Sequence, residues 1–221
     1  MAVVHNKIRK NYIILCEGKD TENFLIQYLN SEPLKIEKRF SEDIQTFDFG
    51  GINQLTMFMR TLMNMEGFDK VDRLLVIRDA ETNVEQAEIM VRNSFFECGL
   101  SVPDSCCSWN KTSNLHTAYL LLPSCDNKPV PGALEDLCWD IISDKDAERI
   151  KNDIEKFTDK IKSEYGRIVS HEHKSKLHTY FSVNDDLVSL KVGEAARSGA
   201  FDWNSARLEL LKQLIHEGFF T

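Results

Sequence analysis

Two short segments, Tyr12-Ile-Ile-Leu-Cys-Glu-Gly-Lys-Asp20 and Leu74-Leu-Val-Ile-Arg-Asp-Ala-Glu81, decide the fold. Each is an apolar run that ends in acid. Runs of this kind, bounded by polar turn chemistry, read as buried parallel strands. The C-terminal strand ends are the functional edge of an open α/β sheet. Glu17 leaves the first strand there. Asp79 and Glu81, two residues apart, are expected on one side of the second, because side chains alternate with period two. The three carboxylates are therefore expected to converge.

The flanking pattern extends the same architecture. After the first strand, Phe24, Leu25, Tyr28 and Leu29 have helical spacing over 20–29, with Asp20 or Thr21 placed as the cap. A strand over 44–48 ends at Gly50-Gly51. A helix over 53–65 turns Leu55, Phe58, Met59 and Leu62 inward. Further strands fit 73–78 and 116–122, the last stopped by Pro123, with a helix over 84–98 between them. Strands alternating with amphipathic helices specify an α/β fold, here a four-stranded, mainly parallel sheet flanked by helices. From Pro131 the pattern turns helical, over 133–142, 147–165 and 205–216. The expected organisation is an α/β core over 1–125 and a helical extension over 126–221. With no Pro/Gly/Ser linker between them, the two are expected to form one structural unit.

A triangle of carboxylates suits Mg²⁺ or Mn²⁺, hard cations that take oxygen ligands and bridge a protein to a substrate phosphate. Two unit charges about 4 Å apart cost roughly 4 kcal/mol at an effective dielectric of 20, so such a cluster calls for a cation or a proton. Crowding raises one carboxyl pKa toward neutrality, which suits a general acid or base.

At Cys16-Glu17-Gly18-Lys19-Asp20 and Ile77-Arg78-Asp79-Ala80-Glu81 the chain resembles the Toprim superfamily. This is the catalytic domain shared by type IA and type II topoisomerases, bacterial primases and the overcoming-lysogeny-defect nucleases. Its motifs are a strand ending in Glu-Gly and a later strand ending in Asp-x-Asp, and Glu81 departs from the second acid of that pattern. A narrower resemblance, to small stand-alone Toprim-like proteins of unknown function, rests on five further segments. These are Phe49-Gly-Gly-Ile-Asn53, Tyr119-Leu-Leu-Leu-Pro123, Pro131-Gly-Ala-Leu-Glu-Asp-Leu137, Lys176-Leu-His-Thr-Tyr180 and Gly199-Ala-Phe-Asp-Trp203. The resemblance implies Glu17 as the acid/base residue and Asp79 and Glu81 as metal holders. It also implies an ABC-class ATPase as partner, since nuclease-type Toprim domains often work with one.

Composition bounds these readings. The chain has 221 residues, 42% hydrophobic and 28% charged, within the range of ordinary globular proteins. No apolar stretch reaches the roughly 18 residues of a membrane span. Residues 1–10 contain no signal-peptide core, so a cytoplasmic location is expected. The net charge of −8 disfavours a broad nucleic-acid surface, because such binding draws its affinity from Lys and Arg. A metal-bridged site with a local basic patch is compatible with it, and weak intrinsic binding to DNA or RNA is expected. The 6 cysteines show no Cys-x-x-Cys pair and read as reduced structural thiols.

The remaining candidates are weighed individually. Asp20 is an acid backing the metal site, a metal ligand or, more simply, a helix cap, and Lys19 is a phosphate contact or a solvated side chain. Arg78 is expected on the opposite side of the strand from its acidic neighbours and reads as structural. Glu135 and Asp136 stand in a helix first turn, where the dipole favours acids, and Glu135 is the candidate further acid beside the site. His171, His173 and His178 read as a solvated helix or loop rather than a zinc site. Lys174, Lys176 and His178 are an alternative phosphate-contacting patch. No P-loop, Gly-x-Gly-x-x-Gly or Gly-x-Ser-x-Gly motif is present. The reading is a Mg²⁺- or Mn²⁺-dependent nuclease acting on nucleic acid. The alternative is a non-catalytic, metal-binding regulatory module that acts with a protein partner.

Overall fold

In the computed structural model, residues 7–35, 43–124 and 128–219 are described. Cys125, the expected boundary near residue 125 and residues 1–6 of the leading segment lie outside them. Strands β1 (Tyr12–Glu17), β2 (Ile44–Gly50), β3 (Arg73–Asp79) and β4 (His116–Leu122) form one sheet in the order β2-β1-β3-β4. Every neighbouring pair is parallel. Parallel pairing requires crossovers, and helices supply them: α1 (Gly18–Leu29) and α2 (Glu32–Lys35), then α3 (Leu55–Met63), then α4 (Val84–Glu97).

The two central strands are covered on both faces. Ile13, Ile14, Leu15 and Cys16 of β1 and Leu74, Leu75, Val76 and Ile77 of β3 are fully buried. This is why both read as uninterrupted apolar runs rather than alternating ones. Of the inward residues expected on α3, Leu55, Met59 and Leu62 are buried, and Phe58 packs partly exposed against the core. The outer edge of β4 is closed by the loop before it. Cys107 N–H donates to Tyr119 O at 2.9 Å, Asn110 and Thr117 exchange both backbone bonds, and Leu121 N–H reaches Cys106 Sγ at 3.4 Å. These contacts remove a row of unpaired edge groups that would otherwise template aggregation.

The C-terminal part consists of α5 (Leu134–Asp140), α6 (Ala147–Tyr165), α7 (Glu172–Ser182), α8 (Val192–Arg197) and α9 (Glu209–Phe219). It returns to the sheet at several points. Trp203 packs edge-on against Phe24 of α1 with ring centroids 5.2 Å apart. At the far end, Phe219 stacks on Tyr12 at 5.1 Å, and Arg73 Nε donates to Gly218 O at 2.7 Å. The five described cysteines are free thiols. No helix among the described residues is long and apolar enough to cross a membrane.

The two halves approach closely at Gly193, where an added Cβ would stand 2.4 Å from Asn23 Cβ of α1. Overpacking of this kind costs about 1–3 kcal/mol. Gly193→Ala is therefore expected to lower the urea midpoint with an unchanged m-value. An unaltered midpoint would show that α8 does not depend on this approach.

Candidate functional site

Parallel register brings the acids together. Cys16 pairs with Ile77, so Glu17 at the end of β1 lies beside Arg78 at the end of β3. Arg78 is only 1% exposed. Its Nε donates to Asp79 O at 3.1 Å and stands 3.4 Å from Glu17 Oε2. That is ion-pair distance without a hydrogen bond, and Glu17 Oε2 and Arg78 Nη2 are buried and unpartnered. Arg78 is buried, in keeping with a structural role, and the neighbouring strand delivers Glu17 to its side.

Asp79 is held differently. Its Oδ1 accepts from Leu134 N–H, the first amide of α5, at 2.9 Å. Burial pushes its pKa up to about 8, with the charges of Glu135, Glu17 and Glu81 adding to the effect. Burial also raises the pKa of Glu17, and Glu81 adds to the rise. The Arg78 guanidinium opposes that rise without reversing it. Glu135, expected to be a further acid beside the site, is buried at 9% exposure and lies 3.6 Å from Lys174 Nζ. Cys138 lies beneath the cluster. Its thiol pKa is raised by burial and then by Glu135, Asp79 and Asp20.

Glu81 arrives by a route that strand alternation does not describe. The strand stops at Asp79, and Glu81 takes a left-handed backbone with φ 56. It exchanges both backbone hydrogen bonds with Gly132 at 2.8 Å, which ties the end of β3 to the segment leading into α5. Gly132 has φ 140, and a Cβ there would meet Asp136 Oδ2 at 2.6 Å, so only glycine fits this junction. The Asp136 carboxylate meanwhile accepts from Ala133 N–H at 2.8 Å. Glu81 itself is exposed and opens onto a cleft of about 350 Å³, lined also by Thr82, Trp139, Glu172, His173 and Lys176.

The other candidates have defined contacts. Gly18 N–H donates to Asp48 Oδ1 at 3.1 Å, and Gly50 N–H donates to the same oxygen at 2.7 Å. Lys19 pairs with buried Glu22, which also accepts from Thr46 Oγ1 at 3.3 Å. Asp20 is not the cap of α1, whose N-cap position is Glu17. Its Oδ1 instead accepts from Gly193 N–H of α8 at 3.4 Å. Among the described residues, no three His, Cys, Asp or Glu side chains already stand as a metal-holding group. The histidine trio is spread along α7 and its start, with only His173 on the cleft.

Sequence reasoning missed the pairing of Arg78 with Glu17 and the placement of Asp48 and Trp139. The sheet register carries the first. Trp139 stands beside the acids only because the Glu81–Gly132 bridge brings α5 there.

The family described as "Protein of unknown function (DUF3226)" matches residues 11–219. No curated protein matches the chain. Among solved structures it is similar to the C-terminal region of the Xanthomonas campestris pv. campestris OLD protein. The two are 13% identical over 94% of this chain and 95% of that chain, with a TM-score of 0.46.

The raised pKa of Asp79 has a measurable sign. The native carboxyl keeps its proton up to about pH 8, whereas the unfolded one loses it near pH 4. Stability should therefore fall as pH rises through that interval and level off above it. Asp79→Asn keeps an acceptor for Leu134 and cannot ionise. It is expected to melt at least about 3 °C above the wild type at pH 8.5, with the gap closing toward pH 5. A gap independent of pH would rule out Asp79 as the titrating group.

Proposed function

The chain belongs to the DUF3226 family, and we propose that it is a Mg²⁺- or Mn²⁺-dependent phosphoryl-transfer enzyme acting on nucleic acid, a nuclease of Toprim type. The observation that carries this reading is the delivery of Glu17 and Asp79 to the C-terminal ends of the two central strands, near enough to Glu81 and to Glu135 of α5 that the charges of all three raise the Asp79 pKa. Burial, with those carboxylates adding to it, pushes the Asp79 pKa up to about 8.

The residues fit a hard cation in chemistry. All four are oxygen donors, and Glu17 Oε2 is buried with no hydrogen-bond partner. Asp79 has one oxygen engaged by Leu134 and the other available. Asp79 and Glu81 would hold the ion, with Glu17 beside them. When bound, it supplies charge neutralisation at a phosphodiester and lowers the pKa of a water. Glu17, with its pKa raised by burial, is suited to hold and pass on a proton. Arg78 stands at ion-pair distance from the Glu17 carboxylate and opposes the rise of its pKa. Loading the site requires Asp79 to lose its proton, so metal affinity should rise with pH toward 8.

A second reading is favoured by one observation: among the described residues, no three ligands are already assembled. The chain would then be a metal-binding module whose site is completed by, or serves, a protein partner. An ABC-class ATPase is the partner proposed for either reading.

Cleavage of end-labelled single-stranded DNA, duplex DNA and RNA with Mn²⁺ tests the first reading. Glu17→Gln and Asp79→Asn are each expected to lose about 10²-fold or more in rate. Mn²⁺ at 100 times its dissociation constant should stabilise the wild type by about 2.7 kcal/mol. Asp79→Asn should lose that stabilisation. Metal-dependent melting without cleavage would favour the module reading, and the absence of both would remove the metal site.

A further inference from the structure

The two ends of the sheet carry opposite charge. The acids lie where β1 and β3 finish. Where these strands begin, Lys7, Arg9, Lys10 and Lys70 line a cavity of about 270 Å³, together with Ile8, Asn11 and Gly67 and, among the described residues, with no acidic residue in its wall. Strand rise of about 3.3 Å per residue separates the two ends by roughly 20 Å.

The backbone of this basic segment is fixed. Ile8 N–H donates to Glu66 O at 2.9 Å, and Arg9 N–H donates to Gln45 Oε1 at 2.9 Å. Asp72 N–H donates to Asn11 O at 2.9 Å. The side chains above it are less constrained. Lys7 pairs with Glu66 in an exposed bridge of small energetic worth. Among the described residues, Arg9, Lys10 and Lys70 have no carboxylate within 4.0 Å. Glu66, Asp69 and Asp72 occupy the surrounding surface. Arg73 and Lys111 stand near the start of β4 at the same end of the sheet. His116 there has its pKa lowered, first by burial and then by Arg73 and Lys111, with Asp72 opposing the shift.

Four cations around one cavity repel one another, and the exposed Glu66 carboxylate, paired with Lys7 and felt by Lys70, offsets only part of that repulsion. An anion with several charges at regular spacing relieves that repulsion, and a nucleic-acid backbone supplies one phosphate every 3.4 Å per strand. We propose that this cavity is a phosphate-backbone site for nucleic acid, separate from the acidic edge and about six base pairs of duplex rise away from it. The assignment of nucleic acid as the polyanion rests on the nuclease reading, whereas the anion site itself rests on the cavity. It gives an acidic chain a place to hold a polyanion that its acidic cleft would repel.

Fluorescence anisotropy in EDTA, with a labelled duplex of roughly 20 base pairs, isolates binding from cleavage. The combined variant Arg9→Glu, Lys10→Glu, Lys70→Glu is expected to bind about 10-fold or more weakly at low salt. Its slope of log K against log salt should be shallower by about 2–3, near 0.9 for each phosphate that is no longer neutralised. Its Mn²⁺-dependent rise in melting temperature should match that of the wild type. If circular dichroism shows that it fails to fold, the milder pair Arg9→Gln, Lys70→Gln is expected to lose about 2 of slope. Equal affinity and slope in variant and wild type, or no wild-type binding at low salt, overturns the proposal. Cavity-dependent binding by a protein that neither cleaves nor responds to Mn²⁺ keeps this site and removes the nuclease reading. Mn²⁺-dependent cleavage with binding indifferent to these charges does the reverse.

Discussion

A parallel strand covered on both faces can carry charge only at its ends, and this constraint organises the molecule. β1 and β3 bury their central residues completely, so no carboxylate can be accommodated along their length. An unpaired buried charge would cost several kcal/mol even after relaxation. Acid placed directly after each apolar run is therefore delivered to one edge of the sheet. The strand order then brings Glu17 and Asp79 to the same edge, because β1 and β3 are neighbours at the centre. Arg78 is the exception that obeys the same rule: it lies within β3 and is buried, yet it stands one residue from the strand end, where Glu17 of the adjacent strand can face it.

Burial, rather than any one partner, governs the electrostatics of the site. Glu17 has a guanidinium 3.4 Å away and still has its pKa raised, so desolvation outweighs the ion pair. For Asp79 the balance is more lopsided, since the Leu134 amide is its main stabilising contact and three other carboxylates oppose it. The N-terminus of α5 thus belongs to the site as much as the strands do. Its position is set by the paired hydrogen bonds between Glu81 and Gly132, a junction that forces Glu81 into a left-handed conformation usually left to glycine, asparagine or aspartate.

Legibility from sequence follows the same physics. The β4 expectation of 116–122 coincides with the strand, and 147–165 coincides with α6. Both have strong periodic or continuous apolar patterns. α7 is readable only as a helix or a loop, because its core residues are Leu177, Tyr180 and Phe181 among mixed charges. α8 offers only about a turn and a half, in which small residues alternate with Glu194 and Arg197. The acids are visible as strand-terminal residues, while their surroundings depend on contacts distant in sequence. Arg78 requires the register of β1 on β3, and Asp20 turns to Gly193 instead of capping its own helix. The Glu81 turn has no sequence signature, since nothing in Asp79-Ala80-Glu81 announces that the strand ends before its last acid.

Net charge shows why folding adds what composition lacks. A value of −8 argues against any polyanion partner if charge is spread evenly. The fold spreads it unevenly. On α6, Lys151, Lys156 and Lys160 are turned to Glu148, Asp153 and Glu164, and Lys162 of α6 and Lys176 of α7 converge on Glu172 of α7. Those cations are largely neutralised by neighbouring acids. Arg9, Lys10 and Lys70 have no such partner within 4.0 Å among the described residues and share one cavity at the opposite end of the sheet from the carboxylates. Because exposed charges more than about a Debye length of 8 Å apart are screened from one another, a separation of roughly 20 Å lets the two ends act as independent electrostatic surfaces. The local sign at each end, and not the sum over the chain, then decides what each end can bind.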